Sequence, residues 1–242
     1  MCTVTYIPNG SGNYILTSNR DEAPERSPQQ LTTEKRFDQQ LTFPRDTAAG
    51  GTWIAVSNTD RLVCLLNGAF ERHARLPEYR RSRGLMVLDF FGHSDADDFF
   101  REYEFTGMEP FTMIICEKGQ LMECRWDGEK RHVRLFDPNG RYIWSSATLY
   151  DREIQLKREQ WFESWQKNQH DFNRQSILDF HQTAGDGDPR NDIIMTRERV
   201  RTVSISSVVR TNGEIDLLYL DLLREQARQS KIRFKGEVVV SR

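Results

Sequence analysis

The chain has 242 residues, 37% of them hydrophobic and 29% charged, and its 34 basic and 36 acidic side chains leave a formal charge of -2. That balance gives no electrostatic footprint for duplex nucleic acid or an acidic membrane surface. No apolar run approaches the ~20 residues needed to span a bilayer, while fourteen Phe and five Trp supply material for a core.

In chain order, residues 3–7 and 14–18 read as strands joined by the turn cluster Pro8-Asn9-Gly10-Ser11-Gly12. Residues 19–51 form the longest stretch without regular periodicity, and a loop of that length in a folded domain usually carries function. Residues 52–57 and 61–67 form a second strand pair across Asn58-Thr59-Asp60, followed by a short helix over 83–91. Ala96, Phe99, Phe100 and Tyr103 fall at helical spacing behind Ser94, which is placed to cap. Residues 111–116 and 121–126 turn at Lys118-Gly119. Helices follow over 151–169, with Ile154, Trp161, Phe162 and Trp165 on one face, and over 175–182. The last hairpin, 202–210 with 214–220, turns on Asn212-Gly213, the strongest short hairpin signal. Hairpins interrupted by helices predict antiparallel sheets covered by helices, an α+β fold, and no composition shift divides residues 1–242 into more than one domain.

Cys2, Cys64, Cys116 and Cys124 form no C-x-x-C pair and no disulfide framework. With no basic-then-apolar leader at the start, they predict a soluble, cytoplasmic protein. The five histidines lack metal-ligand spacing, and neither G-x-S-x-G nor a phosphate-cradling glycine loop occurs, so no metal or cofactor is expected. In the loop 185–192, an EF-hand counted from Asp186 would need Gly at 191 and Glu at 197, where the chain has Asn191 and Arg197. His181 on a helix face reads as structural.

Chemistry gathers at the start of the chain. A hairpin turning at 8–12 places Cys2 about opposite Asn19, with Arg20 and Asp21 just beyond. Once Met1 is removed, residue 2 carries an α-amine of pKa ~7.7–8.0 that can take the proton of its own thiol. Arg20 would favour thiolate, and Asp21 would hold the ammonium. Taken singly, a cysteine at position 2 and a charged strand end are unremarkable features; joined by the hairpin, they favour a catalytic reading. Arg72, Arg75, Arg80, Arg81 and Arg83 make the densest basic segment. Its plain reading is a solvated loop and its functional one a contact for an anionic substrate, with Arg83 the preferred member.

Met1-Cys2-Thr3 with Ser18-Asn19-Arg20-Asp21-Glu22 resembles the NRDE family, to which the transport and Golgi organisation 2 proteins belong. Gly50-Gly51-Thr52-Trp53, Leu66-Asn67, Ser82-Arg83-Gly84 and Thr202-Val203-Ser204 extend the resemblance over most of the chain. The family is similar to the N-terminal-nucleophile hydrolases near the penicillin V acylase and bile salt hydrolase group. The resemblance implies a four-layer α-β-β-α sandwich and hydrolysis of a small acyl amide or thioester through an acyl-enzyme. It implies Cys2 as nucleophile, Arg20 beside the thiol, Asp21 orienting the amine and Asn67 at the oxyanion site. A second oxyanion asparagine is replaced, with Ser146 the nearest counterpart, and a late substrate-binding arginine matches Arg201, with Arg199 and Arg210 close by. Asn19 and Arg83 complete the expected substrate contacts. The expected partner is a small acyl substrate, with neither nucleic acid nor membrane insertion. The competing expectation is a haem- or lipid-binding carrier on the same scaffold without turnover.

Overall fold

The central strands are buried on both faces, and the alternation of side chains along each strand sorts them into layers. The computed structural model describes residues 3–235. β1 (Thr3–Pro8) and β2 (Tyr14–Glu22) form the first hairpin, with Thr3 opposite Asn19, one step from the expected register. Both enter a six-stranded antiparallel sheet with β10 (Tyr142–Ser145), β11 (Arg201–Thr211), β12 (Glu214–Asp221) and β13 (Gln226–Arg233). The order across it is β10-β1-β2-β11-β12-β13. The second sheet is a seven-stranded meander in chain order. Its strands are β3 (Leu31–Arg36), β4 (Gln39–Pro44), β5 (Ile54–Ser57), β6 (Arg61–Asn67), β7 (Phe111–Glu117), β8 (Gln120–Trp126) and β9 (Arg131–Phe136).

The sheets face each other across a core in which Leu16, Val208 and Leu217 meet Val56, Leu62 and Cys64. α1 (Arg83–Asp89) and α2 (Ala96–Glu102) cover the outer face of the seven-stranded sheet through Met86, Val87 and Phe99, joined by Phe90 in the 3-10 turn between them. α3 (Arg152–Asn168) and α4 (Arg174–Thr183) cover the other sheet, packing Phe162, Ile177 and Phe180 on Ile7 and Ile15. This is the expected α-β-β-α arrangement. No helix among the described residues is long and apolar enough to cross a membrane.

Local chemistry explains the helix starts. Asp151 accepts from Ile154 N at 3.0 Å, and Asn173 with Ser176 forms a capping box. α2 is capped by Asp95, which accepts from Asp98 N at 2.9 Å, rather than by the expected Ser94. The stretch 19–51 is also more regular than expected. β2 runs on to Glu22, a single 3-10 turn follows at Pro24–Arg26, and β3 and β4 form a hairpin. Its turn residues Phe37 and Asp38 take left-handed backbone angles (φ 51° and 58°) without the usual Asn-Gly.

Candidate active site

Because side chains alternate along β2, Arg20 and Asp21 point to opposite faces of the sheet. Arg20 faces the second sheet. Its guanidinium lies 4.0 Å from the Trp53 ring centroid, pairs with Asp46 and donates to the Arg26 carbonyl at 2.8 Å. Burial pushes the Arg20 pKa below the ordinary guanidinium value, against the opposing pull of Asp46 and Glu22. Burial alone would raise the Asp46 carboxyl, but the N–H groups of Ala49 and Ala48 with Arg20 and Arg26 hold it below its usual range. Arg26 reaches Asp46 at 2.9 Å and Glu22 at 2.7 Å, so this wall is a charge-balanced network. The sequence reading gave Arg20 a thiol to tune; in the fold its charge is already answered by Asp46.

This network forms one wall of an open cavity of about 440 Å³. Trp53, Gly51, Asn67, Arg83 and Glu109 form more of its lining, and the loop before α1 adds Arg75, Tyr79 and Arg81. Five arginines thus face three carboxylates, Glu22, Asp46 and Glu109. Arg83 bonds Glu109 at 3.0 Å and the Pro110 carbonyl at 2.8 Å. Burial pushes its pKa down, while Glu109 opposes the shift. Gly51 lets the β4–β5 connection lie against the start of α1: a Cβ there would sit 2.6 Å from Leu85 N, and Thr52 N donates to Gly84 O at 3.0 Å.

Asp21 faces the helices. It is 3% exposed and accepts from the Tyr150 hydroxyl at 2.7 Å and Thr202 Oγ1 at 2.6 Å. A bulge between Thr202 and Ser204 interrupts the β2–β11 register here and turns Thr202 toward the carboxylate. Beside it, both N–H donors of the Asn19 amide go to the carbonyls of His181 and Ile193, each at 3.1 Å. Its oxygen lies 2.5 Å from His181 Nδ1. His181 Nε2 is 2.8 Å from Thr5 Oγ1, and burial pushes the imidazole pKa down to about 3, which keeps it neutral. His181 is structural, as expected.

Three expected site residues are placed differently from the sequence reading. Asn19 has its amide fully engaged on the helix side, so it is a lock between β2 and α4 rather than a substrate contact. Ser146 is buried and donates its one proton to the Asn67 carbonyl at 2.8 Å, with Thr148 Oγ1 at 3.1 Å, so it braces Asn67 instead of facing an oxyanion. Arg201 is exposed opposite Glu22, in a separate groove with Pro24, Glu25 and Arg199. Arg210 pairs with Asp60 at 2.6 Å in a pocket lined by Tyr6, Tyr14 and Lys118. Arg20, Asn67 and Arg83 do share one cavity. Cys2 lies outside the described residues, and its neighbour Thr3 is fully buried between Asn19 and Ser145.

A family model described as Transport and Golgi organisation 2 matches residues 1–211. The chain belongs to that family. Comparison with curated proteins finds no match. Among solved structures, the N-acylethanolamine-hydrolyzing acid amidase ortholog of Caenorhabditis elegans superposes with a TM-score of 0.57 at 12% identity, covering 85% of this chain and 92% of that one. A single-substitution variant of conjugated bile acid hydrolase from Clostridium perfringens gives 0.55 at 10% identity, covering 98% and 100%. At such identities the likeness shows the fold, that of the N-terminal-nucleophile hydrolases.

Tyr150, Asp46 and Arg158 were not picked out from the sequence. Arg158 alone left a signal, an arginine in the apolar stripe of Ile154, Trp161 and Phe162. Among the described residues, His93, Asp98 and Glu102 bring ligand atoms within 4.8 Å of one another. They lie at the surface with Asp98 already bonded to Ser94 and Arg101, and no metal is assigned there.

Proposed function

We propose that this family member is an N-terminal-nucleophile hydrolase that cleaves a small acyl amide or thioester carrying an anionic group, with Cys2 as nucleophile after removal of Met1. Cys2 Sγ attacks the acyl carbonyl while the α-amine takes the thiol proton. The amine returns that proton to the departing amine or thiol, leaving an acyl-cysteine. Water then attacks the acyl-cysteine, giving its proton to the amine, and the free acid leaves as the thiol re-forms. The observation that carries the reading is the Asp21 carboxylate, buried and clamped by Tyr150 and Thr202 two residues beyond the partner of Thr3. A carboxylate so held can orient the ammonium of the residue covalently joined to Thr3. The arginine-lined cavity with Asn67 and Arg83 supplies the anion-binding part. The similar folds named above belong to proteins described as an acid amidase and a conjugated bile acid hydrolase, in keeping with hydrolytic chemistry.

A second reading rests on Ser146. Its hydroxyl is committed to Asn67, and losing one oxyanion donor costs about 2.7–4 kcal/mol of transition-state stabilisation. This favours a carrier of haem or lipid that keeps the scaffold without turnover. Intact mass of the untagged protein before and after phenyl thioacetate separates the two. Cys64, Cys116 and Cys124 are buried and burial pushes their thiol pKa values up, so the adduct that disappears in Cys2→Ala is the one assigned to Cys2. Hydrolysis predicts loss of Met1 and an acyl adduct absent from Cys2→Ala. A processed Cys2 that takes no acyl group from this or longer-chain thioesters favours the carrier.

A further inference from the structure

Arg158 takes no part in the steps above, yet it is a fully buried charge. Among the described residues, no carboxylate oxygen comes within 4.0 Å of its guanidinium. Burying a cation without a counter-ion is unfavourable, and an apolar side chain on the same helix stripe would pack there without that cost. The guanidinium is nevertheless held at both Nη atoms and on one face, while its buried Nε has no hydrogen-bond partner among the described residues. Nη1 donates to Thr3 Oγ1, and Nη2 donates to the carbonyls of Asn191 at 2.9 Å and Asp192 at 2.7 Å. Its central carbon lies 3.6 Å from the Tyr150 ring centroid. The hydroxyl of that ring is the donor to Asp21. A cation on the face of a phenol draws electron density from the ring and strengthens the O–H as a donor.

We propose that Arg158 is a positioning residue of the nucleophile: one planar guanidinium sets Thr3, the residue bonded to Cys2, and through Tyr150 sets the carboxylate that orients the Cys2 amine. This rests on the hydrolase reading and deepens it. The fork geometry matters, because a lysine has the charge but cannot hold a hydroxyl, two carbonyls and a ring face together. The charge matters as well. Under the hydrolase reading, a fixed cation bound to the residue that follows Cys2 disfavours the ammonium of Cys2 and favours its free base. The other groups facing Arg158 are Arg197, 5.3 Å from the same Tyr150 ring, and His181, which burial and then Arg158 keep neutral.

The test is single-turnover acylation of Cys2 by phenyl thioacetate across pH, followed by intact mass and normalised to the folded fraction from circular dichroism. Arg158→Met is expected to slow acylation about 100-fold, the scale of a misplaced reacting group. It should also move the acid limb of the pH profile upward, since removing the cation raises the amine pKa. Arg158→Lys should keep the wild-type acid limb while losing about 10-fold in rate, because the charge stays and the fork goes. Tyr150→Phe should cost about 10-fold and add little to Arg158→Met, as expected for residues acting through one path. A purely structural arginine would change melting temperature alone. Folded Arg158 variants acylated within about twofold of wild type, with an unmoved acid limb, would overturn the inference and leave the hydrolase reading intact. A wild-type protein that is never acylated removes both. Should Arg158→Met not fold, Arg158→Lys and Tyr150→Phe decide.

Discussion

The two helical layers solve the same packing problem with different proportions of apolar and polar contact. Under α1 and α2 the buried cluster is large and mainly apolar, with Phe90, Phe91, Phe99, Phe105 and Phe111 packed with Met86 and Met113, and its buried charge is the paired Arg61 and Glu117, with Arg61 stacked on Phe90. Under α3 and α4 the apolar cluster is small, and buried Arg158, His181, Asn19, Asp21 and Thr202 share the space with it. An apolar layer tolerates shifts at little directional cost, whereas a polar one is favourable only when every donor meets its acceptor. The first layer therefore supplies stability, and the second fixes positions. It is the second that meets the start of β1 and the Asp21 end of β2.

That division can be broken experimentally. Phe99→Ala, at a fully buried aromatic, should cost about 3–5 kcal/mol in denaturant unfolding. Acylation of the molecules that remain folded should be unchanged; a rate that falls with it would deny the separation.

Acid should act on the polar layer. An unfolded histidine takes up a proton below pH ~6.5, whereas His181, held at about 3 by burial, does not. The unfolded state then binds more protons, so stability is constant above pH ~6.5 and falls by about 1.4 kcal/mol per unit between there and about 3. Lowering the pH from 6.5 to 4.5 should remove about 2 kcal/mol, and His181→Gln should flatten that slope. An equal slope in both proteins would place the acid sensitivity elsewhere.

Thr202→Val removes one of the two hydroxyls on Asp21 and should cost about 1–3 kcal/mol. Under the hydrolase reading, its effect on acylation should exceed that of Phe99→Ala, the inverse of their order in stability. Asp151→Ala, which removes the α3 cap, should cost about 1 kcal/mol by thermal melts and leave acylation untouched.

How much of this was legible follows the same physics. Hairpins with apolar alternation and turn residues, such as β11 and β12 across Asn212-Gly213, could be read directly. β3, β9 and β13 could not, because they are sheet edges whose sequences Leu31–Arg36, Arg131–Phe136 and Gln226–Arg233 carry polar or charged side chains at half or more of their positions. Edge strands carry charge to deter further pairing, and that erases the signal by which strands are recognised. In the site, the proximity of Arg20 and Asp21 was readable from the first hairpin, but their separation onto opposite faces also depends on which layer covers each face. Asp46 lay hidden in a stretch read as irregular. Tyr150 offered no pattern at all, because it meets Asp21 only through tertiary packing between residues far apart in the chain.

Gly51 carries a final consequence. The wall bearing Asp46 and Trp53 and the wall bearing Arg83 meet where Gly51 lies against Gly84. With no Cβ between them, the two backbones touch, so the spacing of Arg20 from Arg83 is gauged by atoms the chain omits. A methyl at position 51 would wedge that corner apart, and both charged walls would move with it. Under the hydrolase reading, the length of acyl donor that could reach from one wall to the other would thus be set by a missing side chain rather than by any group that touches the donor.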